Sequence, residues 1–208
     1  MSNFGTVTYT GLEPISNTGT ATDVIFELPA GPNAATLADD GTGGNTMSRL
    51  SGATFETTDF ANPTASLTIK RGNAADTVAV NALPDFDASL TIGSAGNEFS
   101  TITFNGAITL AANNSLAANA SSAINLSNGA NILTTSGTGT INFTAANVTG
   151  AGNVSTGGGL TVSNTELEQH LKRGDCRHGW IDEDWGRARS SFPARTLTPA
   201  RRLSMAGD

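Results

Sequence analysis

The side chains of this 208-residue chain that could carry chemistry are a few carboxylates, two histidines and one cysteine. Asp39-Asp40, with Glu56 and Asp59, form an acidic group in the first third of the chain. Two carboxylates can serve as general acid and base in glycoside cleavage. The spacing does not demand that use, and the sequence shows no histidine or basic partner close by. His170, Cys176 and His178, together with Asp175, offer zinc-ligand chemistry. Their C-x-H spacing fits no standard closed site and leaves the fourth ligand to be guessed. The alternative for this group is a polar tail without a metal.

Two glycine-containing turns invite a calcium reading. Arg71-Gly72-Asn73-Ala74-Ala75-Asp76-Thr77-Val78-Ala79 and Gly93-Ser94-Ala95-Gly96-Asn97-Glu98 look like worn copies of the G-G-x-G-x-D-x-U-x nonapeptide. In intact copies, stacked turns present carbonyls and Asp carboxylates to Ca²⁺, a hard cation that takes six to eight oxygens. Here the first copy lacks two glycines, and the second has Ser for Gly and Glu for Asp. Asp76 and Glu98 are therefore the weak calcium candidates, and the competing reading makes them solvated corner residues. No other cofactor is expected. The chain has no GxSxG, P-loop, GxGxxG between strand and helix, or HExxH. The N-x-[ST] sequons at Asn113, Asn119, Asn125, Asn142, Asn147 and Asn153 follow from a composition rich in Asn, Ser and Thr.

Composition narrows the class. Residues 1–164 carry 3 basic and 11 acidic side chains, whereas residues 165–208 carry 8 and 7. An acidic body argues against nucleic acid as partner, because phosphates need a basic surface. The single cysteine, Cys176, precludes an intrachain disulfide. No stretch approaches the ~20 apolar residues of a membrane helix. Met1-Ser2-Asn3-Phe4 opens neither a basic n-region nor an apolar run. The protein is then either cytosolic or a piece of a longer exported chain, and the expectation is the second, lying outside the cell or on its surface.

The elements that must position these residues are written in a recurring triplet. Leu67-Thr68-Ile69, Leu90-Thr91-Ile92, Ile108-Thr109-Leu110, Ile124-Asn125-Leu126, Ile141-Asn142-Phe143 and Leu160-Thr161-Val162 each read apolar, Thr or Asn, apolar. Their starts lie 23, 18, 16, 17 and 19 residues apart, and a fainter series stands at Leu116, Ile132 and Val148. In a strand both apolar residues of a triplet face one way. So short a unit buries its apolar pair only by stacking on copies of itself. Asn and Gly between the triplets suit tight corners. The expectation is an all-β chain, a parallel β-helix (β-solenoid), with the six triplets stacked in register. Residues 1–66 form an irregular β segment, either first coils or a small cap. Residues 67–164 form the solenoid. Residues 165–208 form a non-solenoid tail, with a short helix from Thr165 to about Arg173 and disorder beyond.

Over residues 67–162 the chain resembles the β-solenoid passenger regions of large bacterial surface proteins, the filamentous-haemagglutinin-like adhesins and autotransporter passengers. The stretch from Ala65 to Asn97 also resembles degenerate RTX-type repeats of secreted proteins. The resemblance rests on the triplets and the Asn/Gly corners. It implies a non-enzymatic stalk or adhesin. Its partners would be surface glycans, other surface proteins and adjoining coils of a longer parent chain. The competing expectations are a solenoid enzyme acting on polysaccharide, or a truncated product with no function of its own.

Overall fold

A computed structural model describes residues 14–134 and 136–164. The expected strand at Val7-Thr8-Tyr9-Thr10 and the whole tail, His170, Asp175, Cys176 and His178 included, lie outside the described residues. Those residues are all-β, without a helix. In chain order the first strands are β1 (Ile15–Asn17), β2 (Asp23–Glu27), β3 (Ala34–Asp39), β4 (Met47–Gly52), β5 (Phe55–Ala61), β6 (Ser66–Lys70) and β7 (Thr77–Val80). Then come β8 (Ser89–Ile92), β9 (Phe99–Phe104), β10 (Ile108–Leu110), β11 (Leu116–Leu126) and β12 (Asn131–Thr134). The last are β13 (Thr140–Ala145), β14 (Asn147–Gly150), β15 (Asn153–Ser155) and β16 (Gly159–Asn164).

Parallel pairing organises them into three ladders. The first runs β2, β6, β8, the start of β11, β13 and β16. The second runs β3, β7, β9, the end of β11 and β14. The third runs β10, β12 and β15, with Leu83 bridged to Ile108 before it. Strand β11 serves two ladders because it shifts register between Ala120 and Ala123, at Ser121-Ser122. The first two ladders thereby join into one strongly curled, mixed sheet of thirteen strands.

All ten triplet residues expected inside are buried: Leu67, Ile69, Leu90, Ile92, Ile108, Leu110, Ile124, Leu126, Ile141 and Phe143. The six triplets do not form one stack, however. Those at 67, 90, 141 and 160 belong to the first ladder, that at 108 to the third and that at 124 to the second. Leu116, from the fainter series, fills the gap in the first ladder between Leu90 and Ile141. The spacing that matters in the ladder is the offset between stacked partners. It is 23 from Leu67 to Leu90, 26 to Leu116, 25 to Ile141 and 19 to Leu160. Spacings near 16 in the sequence are steps between ladders and skip one of the three.

The first part of the chain interrupts this order. Val24 stacks on Leu67, an offset of 43, because β4 and β5 are inserted. Strand β4 runs antiparallel to β3 and β5, and β1 closes that edge parallel to β5. Phe60, buried on β5, meets Phe26 of β2 edge to face at 4.9 Å between ring centres, tying the insertion to the first ladder.

Candidate functional site

The described residues gather their polar side chains in three places. The most buried is the corner before β7. Asp76 is fully buried. Its Oδ2 accepts from the backbone N–H groups of Gly72 (2.8 Å) and Asn73 (2.9 Å). Its Oδ1 accepts from the Asn33 backbone N–H (2.7 Å) and from Asn33 Nδ2 (2.9 Å). Asn33, also buried, donates through Nδ2 to the carbonyls of Pro29 and Gly31, and its Oδ1 accepts from Thr54 Oγ1. Gly72 is required here: a Cβ would stand 2.1 Å from the carbonyl oxygens of Leu28 and Pro29. The carboxylate thus bolts the turn before β7 to the turn before β3, and these strands are neighbours in the second ladder.

This corrects the picture of Asp76 as a solvated corner residue, and it leaves a calcium ion little to bind. Four N–H donors occupy the carboxylate, whereas a cation needs free lone pairs. At the second turn the protein supplies its own cation. Arg71 donates through Nε to Asn97 Oδ1 (3.0 Å) and through a terminal nitrogen to the Gly96 carbonyl (3.3 Å). Glu98 turns its Oε1 to the Gly96 N–H at 2.6 Å. The residues do not fit a calcium cage. The melting temperature in chelator and in millimolar calcium should differ by less than about 1 °C. A ligand contribution of ~1 kcal/mol would move a domain of this size by about 2–4 °C, which differential scanning fluorimetry resolves.

Glu98 gives a pH signature instead. Backbone N–H donation, from its own amide first and from Gly96 second, lowers its pKa below 4.5, and Arg71 adds to this. A lowered native pKa stabilises the fold above the unfolded value, and the gain fades as pH falls through the native value. Stability of the parent should therefore fall below about pH 4.5 slightly more than that of Glu98→Gln. Parallel urea titrations down through this range, with identical slopes for both proteins, would refute it.

The second place is the acidic group. Asp39 Oδ2 accepts from the Gly41 N–H, and Asp40 from the Thr42 N–H and Asn45 Nδ2. Asp59 is held by Arg49 through two hydrogen bonds of 2.6 and 2.9 Å, a basic partner ten residues away that the sequence reading did not find. Asp59 in turn keeps Arg49 more firmly protonated than usual. Glu56 lines an open polar depression between Gly52 and Thr57. Asp85, absent from the expected set, accepts from the N–H groups of Gly44 and Thr46 and so shapes the loop between β3 and β4. Among the described residues no group of three or more His, Cys, Asp or Glu stands where it could hold a metal.

The third place is the outer face of the ladders. Asn105 Nδ2 donates to Asn81 Oδ1, Ser127 Oγ to Asn105 Oδ1 and Thr149 Oγ1 to Asn125 Oδ1. Asn153 Nδ2 donates to Asn131 Oδ1. Each bond joins neighbouring rungs. No charged residue occurs from Phe99 to Asn164. Among the described residues no helix is long and apolar enough to cross a membrane. No family model matches this chain, and no curated protein or solved structure matches it.

Proposed function

We propose that the chain is a short parallel β-helix with a structural or adhesive role, part of a longer bacterial surface or secreted protein. The cyclic order of the ladders supports the fold. From β12 onward the chain visits third, first and second ladder, then third and first again. The observation that carries the role is the outer surface. Hydroxyl and amide side chains bond to the next rung, and the last three strands of each of the first two ladders carry no charge. Such a face offers neutral hydrogen-bonding groups at strand spacing, suited to glycan hydroxyls or to another surface protein. The non-enzymatic reading is supported by the state of the carboxylates. Asp40, Asp59 and Asp76 each accept from a neighbouring amide or guanidinium, whereas Asp39 accepts at Oδ2 and, among the described residues, holds its Oδ1 buried without a hydrogen bond. A general acid or base needs a proton-exchanging group turned toward a substrate.

The test is incubation of the protein with insoluble cell-wall polysaccharide, followed by pull-down and a reducing-end assay. Retention without new reducing ends is expected. New reducing ends that vanish in the Asp39→Asn, Asp40→Asn double variant would replace the adhesive reading with the enzymatic one.

A further inference from the structure

We infer that Asn128-Gly129, the corner between β11 and β12, is a self-modifying site that loses its side-chain amide to give aspartate and isoaspartate. The fold holds the other Asn-Gly pair of the chain, Asn105-Gly106, intact.

The chemistry needs water and no cofactor. The backbone nitrogen after the asparagine attacks the side-chain carbonyl carbon, Cγ. An N–Cγ bond forms and the Cγ–Nδ2 bond breaks. The amide nitrogen leaves as ammonia, carrying the proton of the attacking N–H, and a cyclic succinimide remains. Water then opens the ring at either carbonyl. Breaking the new N–Cγ bond gives aspartate. Breaking the original peptide C–N bond gives isoaspartate, whose main chain runs through Cβ and Cγ. A following side chain would shield the attacking nitrogen, and glycine has none.

The two pairs have the same chemistry and different surroundings. Asn105 follows β9, and its carboxamide is held from both sides along the second ladder. Its Nδ2 donates to Asn81 Oδ1 (3.2 Å), and its Oδ1 accepts from Ser127 Oγ (2.9 Å). Gly106 packs on the rung before it: a Cβ there would stand 2.2 Å from the Ala82 backbone nitrogen. The side chain must break both bonds to swing toward the next nitrogen, and the backbone has little room to turn with it. Two lost hydrogen bonds alone slow the reaction about tenfold or more.

Asn128-Gly129 is the middle of a turn closed by one hydrogen bond, from the Ala130 N–H to the Ser127 carbonyl (3.0 Å). Gly129 has φ +102°, and nothing lies within 4 Å of a Cβ built on it. Among the described residues both are exposed, and the Asn128 carboxamide makes no hydrogen bond. The side chain is therefore free to reach the Gly129 nitrogen. The product changes this part of the chain. Residues 99–164 carry no charge, so the new carboxylate is the first there. Isoaspartate also lengthens the main chain next to Ala130, which is fully buried.

The experiment incubates the full-length chain at mildly alkaline pH, native and in urea. Isoelectric focusing and peptide mapping by mass spectrometry follow both sites. Urea is the reference, because the unfolded chain exposes the two pairs alike and both should convert at similar rates. In the native chain Asn128 should convert, with more isoaspartate than aspartate, an acidic shift and a lower melting temperature. Asn105 should lag about tenfold or more. Asn128→Gln should remove the acidic shift and leave the melting temperature of the parent. Asn81→Ala takes away the acceptor of Asn105 Nδ2 and should speed conversion at Asn105 several-fold without changing Asn128. Its melting curve checks that the fold survives. The inference is overturned if native Asn128 stays intact while the urea sample converts, since the corner is then held or covered. It is equally overturned if native Asn105 converts as fast as Asn128, or if Asn81→Ala leaves Asn105 at its parent rate.

Discussion

Asp76→Ala is expected to destabilise the fold by about 3–5 kcal/mol, the range of lost buried, charge-assisted hydrogen-bond networks. Four donors lose their acceptor at once: the backbone N–H groups of Gly72, Asn73 and Asn33, and Asn33 Nδ2. Gly72 and Asn73 belong to a tight corner, and Gly72 packs too closely on the Leu28 and Pro29 carbonyls to move. Water is a poor replacement at a fully buried carboxylate site. Asp76→Asn tests the cause. It keeps the volume but turns an NH₂ group toward donors, so most of the loss should persist. Thr54→Ala removes only the outermost bond of the network, to Asn33 Oδ1, and should cost about 1 kcal/mol. Urea denaturation of the three variants gives the order. If Asp76→Asn matched the parent, the carboxylate charge would not matter, and Asp76 would return to the list of free, ligand-ready side chains.

Where the sequence was legible, the reason was local. Leu67, Ile69, Ile141 and Phe143 face inward because strand alternation puts i and i+2 on one side, and no tertiary contact has to be known to see it. The grouping of those strands was not legible in the same way. The chain passes through three ladders, so Ile108, Leu116 and Ile124 stand eight residues apart yet sit in three different columns. A spacing of 16 or 17 spans two of the three steps, so it does not connect strands of one ladder. Bulges and insertions, such as the register shift in β11 and the β4–β5 hairpin, then blurred the true offset near 24. The site was less legible still. Asp76 depends on Asn33, 43 residues earlier, and Asp85 depends on Gly44 and Thr46. Neither pair shares a motif, because a bolt between stacked turns requires only that each turn supply one compatible group. The Arg49–Asp59 pair had a usable signal. The two lie ten residues apart on strands joined by a short turn, which places them opposite each other on an antiparallel hairpin.

Ile124→Asp should be the most damaging single change in the ladders. Ile124 is fully buried on β11, stacked between Ile102 of β9 and Val148 of β14. Both neighbours in the column are apolar, so the carboxylate would have no partner there and no route to water along the stack. Truncating a buried isoleucine to alanine costs about 2–5 kcal/mol through lost transfer energy and the cavity left behind. A buried, unpaired charge adds its desolvation, or the penalty of taking up a proton to avoid it. A domain with only about 5–15 kcal/mol of total stability should then be largely unfolded at ambient temperature. The neighbouring position supplies the control. Asn125 points to the opposite side of the same strand, and its Oδ1 accepts one bond from Thr149 Oγ1 on the outer face. Asn125→Asp leaves that acceptor in place and adds a charge toward solvent, so its effect should stay within about 0.5 kcal/mol. A register slip of one residue would exchange the two faces. The pair of variants therefore reads the register itself. Thermal unfolding followed by circular dichroism should show Ile124→Asp without a cooperative transition and Asn125→Asp close to the parent. The reverse order would place Asn125 inside and Ile124 outside, and the second ladder would have to be rebuilt with every side chain on the other face.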